Sequence, residues 1–154
     1  MGRKPIATEL LTGVGDGAQL IAGRCVNCAA ITLPLRTGCS RCGAQGLEQH
    51  LLGRRGTLWS WTSQGFPPKA PFAGDLWVGE KFVPWFVGLV ELPGELRVET
   101  LLTGVTEDSL RIGMPLELVV IPFRRDETGD EVVTFAFAPV PEAEGTEKEA
   151  LAHG

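Results

Sequence analysis

Four cysteines carry the most specific chemical signal in this chain: Cys25, Cys28, Cys39 and Cys42, spaced C-x2-C-x10-C-x2-C. A C-x2-C turn presents two sulfurs. Two such turns facing each other across a hairpin supply a tetrahedral set at ~2.3 Å from one metal. In a reducing compartment, clustered thiols of this kind read as metal ligands rather than disulfides. Zinc is the favoured metal. A rubredoxin-like iron site uses the same four thiolates and ranks second. With all four positions filled by protein, no slot remains for water, so the expected role is structural. Gly43, after Cys42, suits the left-handed turn a knuckle needs; Ala29, after Cys28, suits it less well.

Arginines gather around the cysteines. Arg24, Arg36, Arg41, Arg54 and Arg55 lie between residues 24 and 55, against one acid, Glu48. They read either as ordinary solvated side chains or as a cradle for phosphates, with Arg36, Arg41, Arg54 and Arg55 as the candidate ligands. Catalytic groups are thin. The histidines are His50 and His153, tyrosine is absent, and no GxSxG elbow, GxGxxG loop or P-loop occurs. No catalytic residue is assigned, and His50 reads as a structural or surface residue rather than a general base. Between residues 64 and 84, Phe66, Phe72, Trp77 and Phe82 are candidates for a partner or substrate surface. A cap on one end of a barrel is the plainer alternative. Trp59 and Trp61 stand two apart on a strand pattern and are expected on one face, as core or as a binding platform.

Holding four sulfurs in one tetrahedron demands a rigid frame, and the remaining sequence reads as one built of strands. A chain of 154 residues suits one domain, or one with a small appendage. Its 20 glycines and 11 prolines fall between short β-like runs, the pattern of an all-β fold with frequent turns. Residues 57–63 alternate. Residues 85–92 and 96–103 form a predicted hairpin across Pro93-Gly94, and 116–123 with 132–138 form a second. About five such strands suit a small OB-type barrel. Ile6, Leu10 and Leu11 share a face of a possible short helix, with Thr8 as its cap. The expected organisation is an N-terminal helical or linker segment at 1–19, a rubredoxin-like zinc ribbon at 20–50, a five-stranded OB barrel at 51–138 and a disordered tail at 139–154.

The net charge of -5 argues against a general nucleic-acid binder. No apolar stretch approaches the ~18 residues of a membrane helix, and no signal peptide is recognisable. A soluble, cytoplasmic protein without a membrane partner is expected.

The order of these features resembles the acyl-CoA-associated zinc-ribbon/OB-fold family, long described as a domain of unknown function. The resemblance rests on LIAGRCVNCAAITLPLRTGCSRCG, GRRGTLWSWTS, VPWFVGLVEL and LRIGMPLEL, and spans roughly residues 18–138. It implies a heteromeric complex with a thiolase-like protein that holds the chemistry, and an acyl-CoA substrate shared with that partner. It further implies a place as the non-catalytic subunit of an acyl-CoA lyase or acyltransferase. One branch of the family pairs with an aldolase that cleaves a steroid side chain by a retro-aldol step on a coenzyme A thioester. Ala29 departs from the glycine usual in the family. The alternative from a different class is a zinc-ribbon/OB nucleic-acid-binding module.

Overall fold

The computed structural model describes residues 2–69 and 83–141. Five strands make a barrel: β5 (Arg55–Gln64), β6 (Trp85–Glu91), β7 (Arg97–Leu102), β8 (Pro115–Arg125) and β9 (Glu131–Pro139). Strands β5, β6 and β7 form an antiparallel meander. Strands β8 and β9 form a hairpin, and β8 returns to β5. The order β9-β7-β6-β5-β8 closes through β8 and β9. The β7–β9 contact is parallel, at Leu101 with Ala136 and Leu102 with Phe137. This is the expected OB arrangement.

Alternation explains the strands. In β8, Leu116 and Leu118 are buried while Glu117 between them keeps contact with water. Tight turns at Gly94 (φ 74°) and Gly129 (φ 87°) reverse the two hairpins where an L side chain would be strained. Leu58, Val90, Val98, Leu116, Leu118 and Phe137 form the centre of the core. Gly56 lets β5 pass close to its neighbour, since a Cβ there would stand 2.4 Å from the Glu91 carbonyl oxygen. A bulge between Leu58 and Ser60 makes Trp59 the extra residue. It therefore separates Trp59 from Trp61, contrary to the expectation of one shared face. Trp61 packs against the core and meets Phe86 edge-on at 5.8 Å. Trp59 is turned outward and 45% exposed.

A smaller sheet precedes the barrel: β2 (Ile21–Cys25) lies between β3 (Ile31–Thr32) and β4 (Leu47–Leu51). Its apolar side does not form a separate core. Leu20, Ala22 and Leu52 belong to the same buried cluster as the barrel's Leu58 and Val90. Polar contacts fix the seat. Glu95, in the β6–β7 turn, accepts from the Gly53 N–H at 2.9 Å and pairs with His50 Nε2 at 2.5 Å. His50 is thus structural.

The N-terminal helix is not formed, and no helix occurs among the described residues. Residues Arg3–Pro5 instead make β1, which pairs in parallel with β9 at Glu131–Val133. Three apolar residues cannot nucleate a stable helix before Gly13, Gly15 and Gly17, whereas an open strand edge offers backbone partners at once. The Ile6 N–H donates to the Val133 carbonyl at 2.7 Å, and Leu11 is buried in a bridge to Leu20. Phe72, Trp77, Phe82 and the tail beyond residue 141 lie outside the described residues. Among the described residues no helix is long and apolar enough to cross a membrane.

Charge ties β1 to the β8–β9 turn. Lys4 pairs with Asp126, and Arg3 with Glu131 at 2.8 Å. The Lys4 ammonium, then the Thr128 hydroxyl, hold the Asp126 carboxyl well below the usual carboxylate range. A depressed folded-state value means the tie stabilises above the unfolded value of ~3.9 and is lost as pH falls through the lower folded value. Protection of the Ile6 amide against hydrogen exchange should therefore fall in acid. Asp126→Asn should show the loss already at neutral pH. Equal protection in the two proteins at pH ~7 would rule this tie out.

Candidate metal centre

The two C-x2-C turns are built alike. In the first, the Ala29 N–H donates to the Cys25 carbonyl at 2.9 Å and the Cys25 N–H to the Ala30 carbonyl at 2.9 Å. In the second, Gly43 donates to Cys39 at 2.9 Å and Cys39 to Ala44 at 2.8 Å. Each turn aims amides at its leading sulfur. The Asn27 and Cys28 N–H groups lie 3.4 Å from Cys25 Sγ; those of Arg41 and Cys42 lie 3.3 and 3.5 Å from Cys39 Sγ. Such bonds favour thiolates.

The four sulfurs meet. All lie within 4.8 Å of one another, with Cys25–Cys42 and Cys28–Cys39 both at 3.6 Å. A tetrahedron of sulfurs at ~2.3 Å from its centre has edges of ~3.8 Å, so the donor set fits a zinc-sized ion. Cys25 and Cys39 are buried at the root of the turns, and Cys42 is exposed. The Asn27 amide, followed by the Ala44 N–H, draws the Cys42 thiol down to about 6. Deprotonation of one sulfur near neutral pH is the first step toward binding a cation.

Both turns place the residue after the second cysteine in the left-handed region: Gly43 at φ 78° and Ala29 at φ 65°. Glycine takes that conformation freely, whereas alanine pays ~1–2 kcal/mol, partly offset by its smaller backbone entropy. Ala29→Gly should raise the stability of the metal-loaded protein by about 0.5–1 kcal/mol, read as a higher midpoint in thermal or denaturant unfolding. A fall in the midpoint would contradict the assignment of strain to Ala29.

The candidate arginines have different settings. Arg36 and Arg41 are exposed on the ribbon. Arg54 bridges ribbon and barrel: Nε donates to the Ala18 carbonyl at 3.0 Å and Nη2 to the Leu118 carbonyl at 2.9 Å. Arg55 faces Glu117 at 3.4 Å. Two of the four thus already serve the barrel. Arg54→Ala should cost about 1–3 kcal/mol, because it leaves half-buried carbonyls without their donor. Arg36→Ala should leave the unfolding midpoint unchanged. Equal losses in the two variants would overturn this division.

Phe66 is 72% exposed where β5 ends, and Val83 is 70% exposed where the chain returns. Trp59, expected to share a face with Trp61, is exposed on the outer surface. Its ring carries the Arg97 guanidinium at 4.0 Å, a contact made possible by the bulge.

Comparison with known proteins agrees with this architecture. Residues 49–121 match the family described as ChsH2, C-terminal OB-fold domain. A DUF35 domain-containing scaffold protein of Pyrococcus furiosus is 28% identical over 127 residues, covering 82% of this chain and 87% of its own. The benzoylsuccinyl-CoA thiolase subunit BbsA of Thauera aromatica is 29% identical over 134 residues, covering 86% and 85%. Among solved structures, the Ltp2-ChsH2(DUF35) aldolase superposes with a TM-score of 0.59 at 26% identity, covering 79% of this chain and 84% of that one. Ribbon, barrel and matches together make the chain similar to DUF35 proteins, with a match to the ChsH2-type C-terminal OB-fold domain over residues 49–121.

Proposed function

We propose that this chain is the non-catalytic accessory subunit of a thiolase-fold acyl-CoA enzyme. The observation that carries the reading is the nearly full-length likeness to a subunit named for a coenzyme A thiolase. The likeness to a chain from a DUF35-containing aldolase supports the same reading. In the ribbon, residues 20–50, Cys25, Cys28, Cys39 and Cys42 would hold a structural zinc. The ion would neutralise the thiolates and lock the two turns together. Arg36 and Arg41, exposed on the same module, are the side chains free to meet coenzyme A phosphates. Phe66 and the aromatic residues that follow it are proposed to contact the partner.

The finer proposal is an aldolase pair that cleaves a steroid side chain by a retro-aldol step, in the cytoplasm. The partner would supply the acid, base and nucleophile. Nucleic-acid binding has less support, because the acids outside the ribbon would repel a phosphate backbone.

Co-expression with a thiolase-like protein of the same organism tests the reading. The expected result is a stable complex with zinc bound at one ion per chain of this protein. Cys39→Ser should lose both the metal and the complex, without any mutation in the partner's active site. Separate purification of two proteins, with the partner fully active alone on its acyl-CoA, would sink the proposal.

A further inference from the structure

Strand β9 has two edges. One pairs with β8 along its whole length, and the other is divided between two strands that both run parallel to it. β1 takes Glu131–Val133, and β7 pairs at Ala136 and Phe137. Residues Arg97–Thr100 of β7 therefore have a strand partner on the β6 side alone, among the described residues. This edge is accessible, with Arg97 and Glu99 exposed on it. It borders a groove of about 540 Å³ between barrel and ribbon, and Arg97, Val98 and Glu99 are all in its wall. A second hollow of about 230 Å³, lined by Thr100, Leu101 and Thr134, shares Glu99 and Phe135 with the first.

The groove has a defined chemistry. Leu10, Ile31, Leu33, Val98 and Phe135 give it an apolar lining. Two cations stand on it: Arg36, exposed on the ribbon, and Arg97, stacked on Trp59 and only loosely paired with Glu91 at 3.4 Å. Glu99 is the acid in the wall. Thr32 Oγ1, from the ribbon side, is buried and has no hydrogen-bond partner. A buried hydroxyl left unsatisfied calls for a partner that the described residues do not supply.

An unpaired strand edge offers main-chain donors and acceptors in a row, and apolar walls beside it take alternate side chains. A small apolar ligand would leave the edge unpaired, and a free anion would leave the apolar lining wet. We propose that this seam receives an extended, acid-bearing segment of a partner polypeptide. The segment adds as a strand to β7, places apolar side chains against Leu33 and Phe135, and sets its carboxylate at Arg36 and Arg97. Only the identity of the donor rests on the accessory-subunit reading; the seam itself does not.

Two fluorescein-labelled peptides test it on the full, zinc-loaded chain. Both are seven residues of alternating valine and threonine; one ends in two glutamates and its twin in two lysines. Fluorescence anisotropy should show the acidic peptide binding with a Kd below about 1 mM and at least ~10-fold tighter than the basic twin. Hydrogen exchange should slow at the amides of Arg97–Thr100. Arg36→Glu with Arg97→Glu should reverse the preference. Should the double variant fail to fold, the exposed Arg36→Glu alone should abolish it. The proposal is overturned by any one of three results. The acidic peptide fails to bind, its protection falls on β1 or β4 instead of β7, or the basic twin binds as tightly. Loss of the peptide with an intact thiolase-like complex would reject the seam and spare the accessory role. Loss of the complex with a bound peptide would do the reverse.

Discussion

The ribbon and the barrel share one apolar cluster, and the rest of the architecture depends on that continuity. Ala22 and Leu52 are fully buried, although each flanks or belongs to the small sheet, because they pack with Leu58 and Val90 of the barrel. A sheet of three strands, two of five residues and one of two, cannot bury enough surface alone. Its position is therefore set by the barrel, and Glu95 and Arg54 add directional contacts where apolar packing is non-directional. A metal held in the turns is consequently coupled to the barrel. Whatever binds the native thiolates and not the unfolded chain stabilises the shared core as well.

Much of this was legible from residue order. The paired C-x2-C spacing brought four sulfurs together, as expected, because short turns leave few other conformations. The hairpin across Pro93-Gly94 and the one ahead of Val132 were readable because their alternation is uninterrupted and their turns carry glycine. What failed was set by contacts distant in sequence. Ile6, Leu10 and Leu11 carry a weak helical period, but the open edge of β9, more than 120 residues away, captured the backbone beside them. Arg54 reads as a surface charge until Ala18 and Leu118 arrive beside it.

The tryptophans show a subtler limit. Two residues spaced by two share a face only while the register is regular. One inserted position between Leu58 and Ser60 sends Trp61 inward and Trp59 outward. No local composition announces the bulge. Its result is an aromatic ring on the outer surface that supports the Arg97 guanidinium from below. Alanine in the left-handed position of the first turn is a comparable case: the sequence marked it as a poor fit, and the fold imposes the conformation regardless.

The divided edge of β9 has a consequence for both strands that use it. Two strands draw on one finite row of backbone groups, so each position taken by the first strand of the chain is denied to β7. A strand of three residues, Arg3–Pro5, thus shares an edge of β9 with β7, and it touches neither the metal turns nor β7 through strand pairing. Extending that strand past Thr134 and Phe135 would set it in direct competition with β7 for the same backbone groups.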